Sequence, residues 1–212
     1  MSRQEHAEGP LSHSTRLPMR KLILEEFVSA DGLAADAEGT TAFFENSMPP
    51  DGEETRDQLA GLTGQVDTIL LGAETYRMFL TYWPTADSAE EGMADWINET
   101  PKVVVSNTLD SAPWGDYPPA RVLPGDATET VAALKRESGG DIIVWGSLTL
   151  AQSLLAAGLV DEVRLNTIPV LVGAGRRMFE HDGDTVPLRL LDARTYQPSG
   201  VVRQRFAVGS ES

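Results

Sequence analysis

Four short strings in the chain gather the residue types that hold phosphate: Ser29-Ala30-Asp31-Gly32, Gly72-Ala73-Glu74-Thr75, Ser106-Asn107-Thr108 and Gly146-Ser147-Leu148-Thr149. Glycine lets an anion come close to the backbone, and a Ser or Thr adds a hydroxyl donor. A helix that begins at such a string presents unpaired N–H groups at the positive end of its dipole. The second and fourth strings run straight into helical patterns, so the chemistry they suggest is binding of a pyrophosphate or nucleotide. Each string also has a plainer use. Ser147 can simply cap its helix, and Asp31 can be a turn aspartate that accepts backbone N–H bonds. What favours a nucleotide is that all four follow apolar strand-like runs in chain order.

Other chemistries have little to build on. There is no cysteine, which removes disulfides, thiolate metal sites and cysteine nucleophiles. The three histidines are His6, His13 and His181, and only His181, in the loop-like "FEHDGD", lies beyond the polar first segment. A metal site or a Ser-His-Asp triad would rest on it alone. No complete GxGxxG follows the first strand; "GAGRRMF" (173–179) holds a single GxG with two arginines and reads as a turn or a weak anion site. Hydride transfer asks less of the protein, because the reactive group belongs to the cofactor. It needs a general acid, for which a carboxyl with a raised pKa serves, and Asp31 is the first choice. Trp83 and the pair Phe43-Phe44 can stack on a heterocycle or merely cover core.

The net charge of −15 repels nucleic acid and anionic membranes from most of the surface. No apolar run reaches the roughly 20 residues of a membrane span. The start "MSRQEHAEGPLSHSTRLP" has neither a period nor the apolar core of a signal peptide, so residues 1–18 are expected to be a disordered extension, with Met19 a candidate start. A cytoplasmic location is expected.

The elements that must position these strings alternate. Strands are expected at 21–29, 67–72, 102–107, 120–123, 141–145 and 160–171, the last carrying Pro169. "ADGLAA" reads as a turn. Helices are expected at 55–66, from Ala73 to a stop at Pro84, at 89–99, at 126–138 with Asp126 as N-cap, and from Ser147 to Gly158. Asp161-Glu162 open a strand and are placed to meet an arginine. Two last strands flank "PSG" as a hairpin. The pattern predicts one α/β domain over 19–212, with a mainly parallel mixed sheet, helices on both faces and an antiparallel C-terminal hairpin at its edge. Its strand carboxyl ends are where a ligand would lie.

"SADGLAA", "ILLGAETYRMF", "KVVVSNTL" and above all "IIVWGSLTLAQSLLAAGLVDEVRLNTIPVLVGAGRRMF" together resemble the dihydrofolate reductase-like superfamily. The similarity is to the branch of the C-terminal reductase domain of the riboflavin-biosynthesis deaminase-reductase, and it covers nearly everything after Lys21. The resemblance implies a dihydrofolate reductase-like three-layer fold and an NADPH cofactor across the strand ends. It puts Gly72, Thr75 and Tyr76 near the pyrophosphate, Ser106, Asn107 and Thr108 near the adenosine phosphate, and Gly146, Ser147, Leu148 and Thr149 on the other side of the pyrophosphate. Asn166 would line the substrate pocket, and Asp31 would lie near the reacting ring. Where the family often has a basic residue after Gly72, this chain has Ala73 and Glu74, so NADH is not excluded unless Arg77 or Arg121 compensates. Trp145 replaces a frequent glycine. The folate-binding carboxylate of true dihydrofolate reductases has only Asp36 and Glu45 as nearest candidates. The zinc-deaminase signature is missing.

The expectation is therefore an NADPH-dependent reductase of a small heterocyclic or carbonyl substrate. It would resemble 5-amino-6-(5-phosphoribosylamino)uracil reductase and form a homodimer. The alternative is a non-catalytic nucleotide-binding or dimeric interaction protein that kept the fold.

Overall fold

The computed structural model describes residues 19–45, 52–180 and 185–209. The expected extension 1–18 and all three histidines lie outside them. In chain order the elements are β1 (Leu22–Ser29), β2 (Leu33–Asp36), α1 (Ala42–Glu45), α2 (Glu53–Leu62), β3 (Val66–Gly72), α3 (Ala73–Leu80), α4 (Ala94–Glu99), β4 (Lys102–Val105), β5 (Ala112–Trp114), β6 (Tyr117–Leu123), α5 (Ala127–Leu134), β7 (Asp141–Trp145), α6 (Leu148–Ala156), β8 (Glu162–Ile168), β9 (Gly175–Arg177), β10 (Leu188–Thr195) and β11 (Val202–Val208).

Nine strands form one sheet in the order β10-β11-β8-β1-β7-β3-β4-β6-β5. The run from β8 to β6 is parallel. β11 joins β8 antiparallel and β10 joins β11, so the C-terminal hairpin closes one side with β10 alone at the rim. The other side ends in β5, antiparallel to β6. The parallel strands are apolar because both faces are covered. On one face Leu22, Leu24, Val28, Leu70, Ile142 and Val144 pack with Val131 and Leu134 of α5 and with Leu148, Ala151 and Leu154 of α6. On the other, Ile23, Ile69, Leu71, Val104 and Ile143 pack with Leu62 of α2, Tyr76 of α3 and Ile97 of α4. The mixed sheet with helices on both faces is the fold that the sequence predicts.

Several local details differ. "ADGLAA" does more than turn: Leu33–Asp36 pairs antiparallel with Gly175–Arg177, inside the string expected to be a turn. Gly175 makes this approach possible, since a Cβ there would meet the Ala35 carbonyl oxygen at 2.0 Å. The helix expected at 89–99 forms only from Ala94, after Gly92. The helix expected to run to Val66 stops at Leu62, and Val66 opens β3. β8 ends one residue before Pro169, which has no N–H for a ladder bond. The Asp126 cap is as expected, accepting from the N–H groups of Thr128 and Glu129. The two acids at the start of β8 also meet cations: Asp161, just before it, binds Lys135, and Glu162, its first residue, binds Arg164 and Arg205.

Candidate functional site

β3 and β7 are neighbours in the sheet, so the turns that leave them lie side by side. They are tied reciprocally. The Gly72 N–H donates to Ser147 Oγ at 2.8 Å, and the Ser147 N–H donates to Thr75 Oγ1 at 2.9 Å. Gly146 and Ser147 both adopt the left-handed conformation, with φ of 54° and 51°, and Ser147 is the only non-glycine residue with positive φ among those described. At Gly146 the conformation and the space both require glycine, because a Cβ would stand 3.1 Å from Thr75 Cγ2. Neither α3 nor α6 has a side-chain cap, whereas Asp126 caps α5. Ser147 is thus spent on the neighbouring turn and not on its own helix. The first-turn N–H groups of two adjacent helices are left for an outside acceptor.

Other predicted residues fall into place differently. Tyr76 is a correction: its ring is buried against Trp114 and its hydroxyl donates to the Pro113 carbonyl at 2.6 Å, so it serves the core below the turn. Leu148 likewise sends its side chain into the core, leaving only its backbone at the helix start. Thr149 is exposed, with Oγ1 3.4 Å from Arg176 Nη2. Ser106 accepts from the N–H groups of Thr108 and Leu109, both at 3.2 Å. Asn107 brackets Gly125, accepting from its N–H at 2.7 Å, and thereby joins the ends of β4 and β6. The Asn107 and Thr108 side chains are exposed at that corner. The two arginines named as compensating for Ala73 and Glu74 are engaged, Arg77 with Glu74 and Arg121 with both oxygens of Glu137.

Asp31 is the second correction. Its carboxylate accepts from Ser29 Oγ at 2.6 Å and from the N–H groups of Val172 and Gly173 at 3.1 and 2.8 Å. These bonds, the Ser29 hydroxyl first, hold it down at about 2. It is a turn aspartate that ties the end of β1 to the loop after β8, and it holds no proton to give near neutral pH. Asp36 is similarly occupied by Thr40.

The carboxyl with the raised value is Glu26, which the sequence reasoning passed over. Glu25 pairs in register with Trp145, so Glu26 stands level with Gly146. It lies on the α6 face between Leu24 and Val28, 7% exposed. Burial pushes it up to about 8, against the pull of the Phe27 and Gly146 N–H groups and with the help of Glu25. Its Oε2 has no partner. The signal was available: two glutamates inside the otherwise apolar "LILEEFVS" must face opposite sides of a strand covered on both.

Glu25 opens a second missed feature, on the α2 face. There the register aligns Trp145, Glu25, Arg164 and Arg205 across four strands, with Phe27, Asn166 and Arg203 in the next row. Gln58 of α2 and Asn166 both donate to Glu25 Oε1, the latter at 3.3 Å. Arg164 Nη1 and Arg203 Nη2 are 3.7 and 4.0 Å from Glu25 Oε2. Six of the seven buried side-chain polar atoms without a hydrogen-bond partner among the described residues sit here: Trp145 Nε1, Glu25 Oε2, Glu54 Oε1, both Nη of Arg164 and Arg203 Nε. Buried polar groups are seldom left this way unless water or a ligand completes them. At the outer end of the rows the rings of Phe27 and Phe44 stack with centroids 5.1 Å apart.

The family described as the RibD C-terminal domain matches residues 20–202. The uncharacterized protein YyaP of Bacillus subtilis (strain 168) is 28% identical over 195 residues, which cover 90% of this chain and 96% of that one. Among solved structures, a putative riboflavin biosynthesis protein from Shewanella sp. PV-4 superposes with a TM-score of 0.72 at 20% identity, covering 90% of this chain and 99% of that one. Dihydrofolate reductase from Enterococcus faecalis, complexed with NADP(H), gives a TM-score of 0.57 at 11% identity, covering 90% of this chain and 97% of its own.

Proposed function

The chain belongs to the RibD C-terminal domain family, and from that premise we propose that it is a cytoplasmic nicotinamide-dependent reductase of a small heterocyclic or carbonyl substrate. NADPH is the first candidate cofactor and NADH the second. The observation that carries this reading is the reciprocal tie between Gly72-Thr75 and Gly146-Ser147, which holds two uncapped helix starts side by side at the strand ends. The fit to a dinucleotide rests on unpaired first-turn N–H groups and on glycine where a Cβ would crowd the turn. The solved relative that carries NADP(H) supports the cofactor class.

When bound, the nicotinamide supplies the hydride. The chain's own residues then have three tasks: to receive the pyrophosphate on the backbone of Leu148 and Thr149 and of α3, to orient the substrate, and to keep water out. The substrate side of this reading is the α2 face. Donors without a hydrogen bond on Trp145, Arg164 and Arg203, with acceptors without one on Glu25 and Glu54, suit a ring bearing both carbonyl and N–H groups, next to the Phe27-Phe44 stack. An aminouracil of the riboflavin pathway is one such ring. The engaged state of Arg77 and Arg121, and the acidic Glu74, support weak discrimination between the two cofactors.

The test is a parallel titration of the purified chain with NADPH and NADH, followed by nicotinamide fluorescence. Ser147→Asp, which sets a carboxylate against the first turn of α6, is expected to weaken binding at least about tenfold. Turnover is then sought with pterins, aminopyrimidines and simple carbonyls. Binding without oxidation of cofactor would move the protein to a non-catalytic nucleotide-binding role. No binding of either cofactor would defeat the reductase reading.

A further inference from the structure

Trp145 ends β7 immediately before the Gly146-Ser147 turn. Its side chain lies on the α2 face, where its ring meets Trp96 of α4 edge to face with centroids 5.6 Å apart. The residue is 7% exposed, and its Nε1 has no hydrogen-bond partner among the described residues. A buried indole N–H normally finds one. Trp114, in the same core cluster, shows the settled case: its Nε1 donates to Asn98 Oδ1 at 2.8 Å. A buried donor left bare costs more than an average hydrogen bond gains. The Trp145 N–H therefore awaits an acceptor that the described residues do not provide.

Its neighbours narrow what that acceptor belongs to. Register sets Trp145 beside Glu25, and Arg164 and Arg205 follow in the same row. Glu162 Oε1 accepts from the Nε of both Arg164 and Arg205, at 2.7 and 2.8 Å. Glu25 Oε2 faces Arg164 Nη1 and Arg203 Nη2 at 3.7 and 4.0 Å. Glu54 stands one helical turn before Gln58 on α2, and Gln58 donates to Glu25. The carboxylates of Glu25, Glu54 and Glu162 thus answer the guanidiniums of Arg164, Arg203 and Arg205. The charges balance, and what stays open is hydrogen-bonding capacity. An anion brought in here would leave a surplus buried charge, whereas an uncharged polar ring would not.

We propose that Trp145 is a specificity-determining residue: its indole N–H donates to a carbonyl oxygen or ring nitrogen on the edge of an uncharged heterocycle. A ring without an acceptor at that edge leaves the N–H bare and is rejected for that reason. That this ring lies beside a nicotinamide rests on the function proposed above. Its recognition by Trp145 does not.

The test uses the full chain and lumazine, an uncharged pteridine dione, followed by nitrogen–proton correlation spectra of the indole groups. The Trp145 signal is assigned by its loss in Trp145→Phe, which keeps an aromatic ring and removes the N–H. In the free chain it is expected upfield of the hydrogen-bonded Trp114 signal, and it is expected to move downfield as lumazine binds while Trp114 stays. Trp145→Phe is expected to weaken lumazine binding roughly three- to tenfold and to change NADPH binding far less. Lumazine carrying a carboxylate is expected to bind more weakly than lumazine; tighter binding would overturn the uncharged class. A Trp145 signal that lumazine does not move, or a variant that binds lumazine as the wild type does, overturns the proposal. So does an equal loss for lumazine and NADPH, which would make Trp145 a prop of the turn. Should the variant fail to fold, the wild-type spectrum decides, with the signal assigned through the backbone of Val144 and Gly146. A moving signal while neither NADPH nor NADH binds would keep the recognition and remove the reductase; cofactor binding with an unmoved signal would do the reverse.

Discussion

At the residue scale, two acids near the strand ends have exchanged the parts that sequence suggests for them. Asp31 looks like a proton donor because it follows a strand in an Asp-Gly turn, but a hydroxyl and two N–H groups converge on it and keep it ionised. Those donors come from residues 2 to 142 positions away, and only the near one, Ser29, is visible beforehand. Glu26 looks like an ordinary charged residue and is buried without a cation. Its consequence for stability has a definite sign. Folding raises its pKa from 4.5 to about 8. Below about pH 4.5 both folded and unfolded chains carry the proton and stability is unaffected. Between there and about pH 8 only the folded chain carries it, so stability falls as pH rises, by at most about 1.4 kcal/mol per unit, and the loss is complete above that range. Denaturant unfolding of wild type and Glu26→Gln across this window is expected to show the variant gaining relative stability toward high pH. A constant difference would mean that Glu26 is solvated and ionised throughout.

At the scale of elements, the β3-α3 and β7-α6 connections act as one unit. Because of this tie, Thr75→Val and Ser147→Ala are each expected to cost roughly 1 kcal/mol, and the double variant less than their sum, with a coupling of about 0.5–3 kcal/mol by a double-mutant cycle. Additive losses would show the two turns to be independent. This unit was half legible. "DIIVW" and "DTILLG" announce buried parallel strands by their apolar runs, and Gly146-Ser147 announces a special turn. What could not be read is that Ser147 serves residue 72 and not its own helix, since the partners are 75 positions apart and meet only because β7 lies against β3. The short elements α1, β5 and β9 escaped for a different reason: three or four residues hold too little periodicity, and they exist through tertiary pairing. The row of Trp145, Glu25, Arg164 and Arg205 is legible only as alternation within each strand until the strand order is known.

At the scale of the whole molecule, the sheet ends in a strand that has not been covered. β10 is exposed along almost its full length, with Leu188, Leu190 and Leu191 at 43%, 55% and 43% exposure. Long apolar edges attract further strands. The homodimer expected from the sequence is most simply formed by two β10 edges meeting across a twofold axis. Light scattering is expected to give about twice the 22.9 kDa of one chain, and Leu190→Lys to return it to one. A wild-type mass of one chain would dismiss the dimer. At the same scale, no helix among the described residues is long and apolar enough to cross a membrane.

The position of β1 has a temporal consequence. The first strand of the fold lies in the middle of the sheet, and its two neighbours, β7 and β8, begin 119 and 140 residues later. During synthesis, "LILEEFVS" therefore leaves the ribosome long before either partner exists, with its apolar side chains and both ladder edges open. The last strand needed to enclose it is complete only at Ile168. Such long-range closure makes folding slow and late. The two glutamates that complicate the finished core also keep this waiting segment charged, and so less prone to pair with its own copies on neighbouring nascent chains.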